Sequence, residues 1–212
     1  MLIIGAKGHA MEVFQCLNIV EREQVAFFDN VTHAQSGCLF GLYQLLRTPS
    51  EARFYLANTD SRFILGLGGP SLRRRLAAQF RDWGGLLTSV IAPTAVVGPF
   101  ASIGAGLNIM QYALVSPNVT LGEGVLINAG AAVHHDSIVG DYCEISPGAR
   151  LLGRCQLGHS CQVGAAAVIL PGILVGQEAI IGAGAVVTRP VKAGATVVGI
   201  PARPLGKICN EK

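Results

Sequence analysis

From Ile91 to Lys192 an aliphatic residue returns at every sixth position without a slip: Ile91, Val97, Ile103, Ile109, Val115, Leu121, Ile127, Val133, Val139, Ile145, Leu151, Leu157, Val163, Ile169, Val175, Ile181 and Val187. An amphipathic helix repeats near 3.6 residues and a half-buried strand at two, so neither accounts for a period of six. A parallel β-helix does, because each hexad lays down one short strand and one turn and stacks on its neighbours. Four residues beyond each aliphatic position sits a second inward candidate. It is small at Ala95, Ala101, Ala113, Ala131, Ser137, Cys143, Ala149, Cys155, Cys161, Ala167, Ala179 and Ala185, and larger but apolar at Leu107, Val119, Val125, Ile173 and Val191. Three hexads closing one coil would give a narrow prism with one large and one small side chain inside per face.

The pattern before the repeat is different. Met1 to Ile4 reads as a buried strand, followed by Gly5-Ala6-Lys7-Gly8-His9-Ala10 and a helix with Met11, Val13, Phe14 and Leu17 as its apolar positions. Val25 to Phe28 is a second strand ending at Asp29-Asn30. A strand, glycine turn, helix and strand with an acidic residue about twenty positions on is the order of a half-Rossmann nucleotide site, although the glycines fall short of the full fingerprint. Leu39 to Leu46 reads as a strand edge or short helix and Phe54 to Ala57 as another short element. Arg62 to Leu65 returns to strand character and ends in Gly66-Leu67-Gly68-Gly69-Pro70, where a helix starts with Leu72, Leu76, Ala77 and Phe80 on one side. The strand ends at Gly5, Asp29 and Gly66 should gather at the carboxyl edge of one parallel sheet, where such sheets bind ligands. After Val187 the repeat dissolves, and the tail through Ala202 is expected to cover the open end of the prism. Asn210 to Lys212 reads as frayed.

Composition sharpens this picture in a few places. Glycine is abundant at 27 residues but falls periodically, which argues for turns and against disorder. The mean hydropathy of +0.47 comes from alanine and valine inside a prism, with no apolar run long enough to span a bilayer, so no membrane insertion is expected. A net charge of +3 with no basic patch argues against a nucleic-acid partner, and Arg73, Arg74 and Arg75 read as the solvated face of a helix, with a phosphate contact as the alternative. Six cysteines without a CxxC pair or Cys/His spacing imply neither zinc nor a disulfide framework. With no signal peptide legible, they fit a reduced, cytoplasmic compartment and no metal.

Against so regular a repeat, polar residues stand out. The densest group is Asn128-Ala129-Gly130-Ala131-Ala132-Val133-His134-His135-Asp136. Counting Val133 as hexad position one puts His135 and Asp136 at positions three and four, facing away from the core. An imidazole accepts protons near neutral pH, and a neighbouring carboxylate fixes its tautomer and raises its basicity.

The pattern resembles the hexapeptide-repeat acyltransferases. Within them it is most similar to the sialic acid O-acetyltransferase and UDP-amino-sugar N-acetyltransferase group. The resemblance is carried by Ile127-Asn128 through His135-Asp136, by Ile145-Ser146-Pro147-Gly148-Ala149, by Ile181-Gly182-Ala183-Gly184-Ala185-Val186-Val187 and by Val198-Gly199-Ile200-Pro201-Ala202. It implies an α/β Rossmann-like sugar-nucleotide-binding domain over residues 1–86. An all-β left-handed parallel β-helix binding acetyl-CoA, with a C-terminal cap, would follow over 87–212. The left hand comes from the resemblance, since it breaks the usual right-handed crossover rule.

The resemblance also implies roles. His135 matches the catalytic base, Asp136 the acidic residue that supports it, and Asn128 a polar residue near the reacting groups. Helices of the family assemble as homotrimers with acetyl-CoA between adjacent prisms, so Gly153, Gly164, Ala165, Gly182 and Ala183 would line that groove. Glu144 stands where relatives carry a histidine near the thioester. Gly5, Lys7, Gly8, His9, Asp29, Asn30, Gly66, Leu67 and Gly68 would bind the sugar nucleotide, although relatives have a small residue at Lys7 and an acidic one at Asn30. The implied activity is transfer of an acetyl group from acetyl-CoA to the amine of a nucleotide-linked amino sugar, with no covalent enzyme intermediate. O-acetylation of sialic acid or a related sugar is the alternative within the fold, and a non-catalytic β-helix scaffold the alternative outside it.

Overall fold

The computed structural model describes residues 1–31 and 37–205; the expectation for Asn210 to Lys212 lies outside them. The first part of the chain builds a six-stranded sheet from β1 (Leu2–Ile4), β2 (Ala26–Phe28), β3 (Cys38–Leu39), β4 (Tyr43–Leu46), β5 (Arg62–Leu65) and β6 (Leu86–Leu87) in the order β3-β4-β2-β1-β5-β6. All neighbours run parallel except β3 against β4. Leu39 to Leu46 is therefore a hairpin.

Four helices accompany this sheet, α1 (Gly8–Cys16), α2 (Ile19–Glu23), α3 (Pro49–Asn58) and α4 (Pro70–Asp82), of which α2 buries no residue. Reciprocal capping boxes, Asn18 with Glu21 and Thr48 with Glu51, start α2 and α3, satisfying amide groups that a helix leaves unpaired at its first turn. Proline opens α3 and α4, where no amide donor is missed. Aromatic rings fill the gaps between layers: Phe63 and Phe28 meet Phe80, and Phe80 meets Trp83 with ring centroids 4.7 Å apart.

The rest is a three-sided prism. Its first face stacks Val90–Ile91, Asn108–Ile109, Leu126–Ile127, Glu144–Ile145, Gln162–Val163, Ile180–Ile181 and Thr196–Val198. The second stacks Val96–Val97, Leu114–Val115, Ala132–Val133, Arg150–Leu151, Val168–Ile169 and Val186–Val187. The third stacks Ser102–Ile103, Thr120–Leu121, Ile138–Val139, Gln156–Leu157 and Leu174–Val175. Up to Ile180–Ile181 each strand pairs in parallel with the one eighteen residues on, as in Leu126↔Glu144 and Ile127↔Ile145, and the last step shortens to Ile180↔Thr196. The aliphatic and small slots are buried together from Leu107 onward, Cys143, Cys155 and Cys161 included.

Two expectations need correction. Ile91, Val97 and Ile103, counted as inward, are 40%, 36% and 42% exposed, because no coil lies above the first. Arg73, read with Arg74 and Arg75 as a solvated face, is wholly buried. At the other end the tail adds Thr196–Val198 and the antiparallel Arg203–Pro204, and Val197 closes the core.

The two parts meet along the first face of the prism. Arg73 donates to the carbonyls of Leu65 and Leu67 on its own side, at 3.2 and 2.9 Å, and to Gly124 of the prism at 3.0 Å. Burial pushes its guanidinium down to about 10, against the pull of Glu144 and Tyr142. Asn108 donates to the Leu65 carbonyl at 2.7 Å, and Arg81 grips Glu123 through two 2.7 Å bonds. Glu123 also accepts from Tyr142, and the two bonds hold its carboxyl below the usual range.

Candidate active site

Residues 134–137 turn the chain from the second face to the third. Along this edge the fourth residue of the hexad takes a left-handed backbone, with Asn118 at φ 58°, Asp136 at 60° and Arg154 at 62°. That twist throws His135 and Asp136 outward, with side chains 54% and 45% exposed. His135 Nδ1 and Asp136 Oδ2 lie 2.7 Å apart. Asp136 Oδ1 accepts from Asn118 Nδ2 at 3.2 Å. The bonds from His135 and Asn118 hold the Asp136 carboxyl below its ordinary value. With Nδ1 turned to the carboxylate, Nε2 is left to accept a proton.

The imidazole lies over Gly153, one coil on. A Cβ on Gly153 would stand 2.5 Å from His135 Nε2, so the absent side chain makes room for the ring. His134 is half-buried, and its amide donates to the Leu151 carbonyl.

Three sides separate what the sequence set close together. Asn128 lies on the edge between first and second faces, as do Gly164, Ala165, Gly182 and Ala183, while His135, Asp136 and Gly153 lie on the next edge. Six residues carry the chain from one corner to the next, so one chain does not bring Asn128 to His135. Gly164 and Gly182 are glycine for a packing reason: a Cβ would stand 2.5 Å from the Ala183 amide nitrogen in one case and 2.7 Å from Val198 in the other. Ala165 and Ala183 are exposed, and their amides donate no hydrogen bond among the described residues. That leaves two backbone donors open on this edge.

A cavity of about 540 Å³ opens at the carboxyl edge of the sheet. Gly5, Lys7, Asp29, Asn30, Gly66 and Leu67 line it, with no prism residue among its described lining. Gly5 takes φ 109° and approaches so closely that a Cβ would be 2.7 Å from the Gly66 carbonyl oxygen. Asp29 is buried, and its carboxylate accepts from the Val31 amide at 2.9 Å. Arg75, for which the sequence left a phosphate contact open, also lines the cavity, and the sequence reading missed Phe28, Leu72, Leu76 and Gln79 there; Arg75 and those last three lie on α4. These four share one side of α4, and their spacing was the available signal.

Gly8, His9 and Gly68 do not line the cavity. His9 sits in the seam, 3.2 Å from Glu12, where burial lowers the imidazole against the pull of that carboxylate. Glu144, on the first face, accepts from the Gly69 amide at 2.7 Å and leaves Gly68 no room for a side chain without a shift. The three arginines thus go three ways: Arg73 into the seam, Arg75 to the cavity, and Arg74 to a smaller cleft beside His159.

The family model described as bacterial transferase hexapeptide (six repeats) matches residues 118–153 and 154–189, and that of the PglD N-terminal domain matches residues 1–80. No match was found among curated protein sequences. Among solved structures the chain is similar to PerB from Caulobacter crescentus in complex with CoA and GDP-perosamine, at 30% identity over 97% of this chain and 96% of that one, with a TM-score of 0.88. It is similar to the acetyltransferase domain of PglB from Neisseria gonorrhoeae in complex with acetyl coenzyme A, at 30% identity over 96% and 98%, with a TM-score of 0.86. WeeI from Acinetobacter baumannii aligns at 25% identity over 96% and 98%, with a TM-score of 0.71. With its α/β domain ahead of a left-handed parallel β-helix, the chain belongs to the hexapeptide-repeat acetyltransferases.

Proposed function

We propose that this protein transfers an acetyl group from acetyl-CoA to the amine of a nucleotide-linked amino sugar, with His135 as general base. The observation that carries the reading is the exposed imidazole whose Nδ1 is tied to Asp136 while Nε2 stays open. The neutral amine of the sugar attacks the thioester carbonyl as its proton passes to Nε2. Backbone amides steady the oxyanion, and the departing thiolate of coenzyme A recovers a proton. The α/β domain, whose last strand reaches Leu87, would hold the sugar nucleotide, and the prism after it the acetyl-CoA.

Gly5, Lys7, Asp29, Asn30, Gly66 and Leu67, with Arg75, would receive the nucleotide, the two cations balancing the diphosphate. Ala165 and Ala183 would receive the pantetheine amides. On this reading one chain does not suffice. The edge bearing His135 lies opposite the face on which the α/β domain sits, which supports a base lent to that cavity by another copy. A homotrimer, each copy lending its edge to a neighbour, meets this need and draws Asn128 towards a neighbour's His135.

The test is turnover of acetyl-CoA against UDP-, GDP- and dTDP-linked 4-amino sugars, with free sialic acids alongside. Transfer to an amine on a nucleotide-linked sugar is expected, and transfer to the free acids alone would overturn the reading. His135→Ala should lower kcat by about 10²–10⁴-fold with the oligomer intact. Near wild-type turnover in that variant would remove His135 from the mechanism.

A further inference from the structure

The His135–Asp136 pair stands in the open, where packing cannot fix its geometry. Both side chains are about half exposed, and a surface pair of this kind loses orientation readily unless something holds it. What holds it comes from the coil before. Asn118 occupies the same corner position eighteen residues earlier, and its side-chain amide donates to the one Asp136 oxygen that the imidazole does not use. From the coil after, Arg154 adds its positive charge and donates its backbone amide to the His135 carbonyl at 2.9 Å.

We propose that Asn118 is a positioning residue for the base: by holding Asp136 Oδ1 it keeps Oδ2 on His135 Nδ1 and leaves Nε2 bare towards the acceptor amine. The inference rests on His135 being the base. Asn118 has a competing explanation, since its backbone is left-handed at φ 58°, a conformation asparagine tolerates better than most residues. Two substitutions separate the roles. Asn118→Asp keeps shape and much of the left-handed tolerance but removes the donor. Asn118→Gly keeps the backbone freedom and removes the side chain.

Steady-state kinetics on the full-length oligomer, with melting temperature as control, decides between them. Both variants should lose about 3- to 10-fold in kcat while the KM for acetyl-CoA and the melting temperature stay unchanged. In a His135→Ala background neither should lower the residual turnover further, because a residue acting through the imidazole has nothing left to act on. Wild-type kcat in both variants overturns the proposal and leaves His135 as the base. Equal losses with and without His135 also overturn it, since they mark a structural role. Near wild-type turnover in His135→Ala alone removes the base and with it this inference.

Discussion

The α/β domain and the prism reach similar burial by opposite routes. The domain locks a few large rings, Phe28, Phe63, Phe80 and Trp83, each fitted to one place and one set of neighbours. The prism repeats a large and a small slot coil after coil, and each coil leans on the next. In the repeat, a residue's cost depends on its coil as much as on its identity. In the domain it depends on a unique set of contacts. Deviations therefore carry meaning in the prism and are hard to see in the domain.

Truncations within the repeat should break or sharpen this difference most. Ile145 is wholly buried between coils, whereas Ile103, in the same slot of the open first coil, is 42% exposed. Ile145→Ala is expected to cost about 2–5 kcal/mol and Ile103→Ala about 1 kcal/mol or less, read by urea denaturation. Equal costs would mean that the slot alone, not its coil, sets the energy.

Two glycines make a finer comparison. Gly164→Ala forces a methyl against the backbone of the next coil and should cost about 1–3 kcal/mol of stability. Gly153→Ala presses first on the exposed His135 ring, which can swing away, so stability should hold within about 0.5 kcal/mol while kcat falls on the order of 10-fold. Melting curves and turnover on both variants check the pair.

The smallest effect belongs to the seam. Glu123 has its carboxyl pKa lowered in the fold, chiefly by Arg81, so its contribution is complete above the unfolded carboxylate value and fades as pH falls through the folded one. Glu123→Gln should cost about 0.5–1 kcal/mol at neutral pH, allowing for its partial exposure, and the gap to wild type should close in acid. Denaturation at pH 7 and below pH ~4 gives both readings.

How much of this was legible follows from the same contrast. The prism could be read to the residue because its period never slips, and His135 and Asp136 stood out as polar intruders at outward positions. Periodicity could not show that three sides carry Asn128 and His135 to different edges, since equal spacing along the chain becomes a turn of the coil in space. In the domain, the strand ends at Gly5, Asp29 and Gly66 were readable from turn chemistry. The inward turn of Arg73 was not, because its partners are carbonyls of residues far apart in sequence, Leu65 and Gly124. Arg75, left between a solvated face and a phosphate contact, and Gln79 were undecided for a related reason: a polar residue on a helix looks the same whether it meets water or a cavity.

The bond between Glu144 and the Gly69 amide decides something about anions. The start of a helix draws negative charge, and α1, α3 and α4 all begin at the carboxyl rim of the sheet, α3 with its own Glu51 in a capping box. At α4 that place is taken by a carboxylate from the prism. At α1 no side chain caps the first turn, and Lys7 stands beside it. The carboxylate already seated at α4 leaves less pull there for a second anion than at α1, and that carboxylate is lent by the prism across the seam.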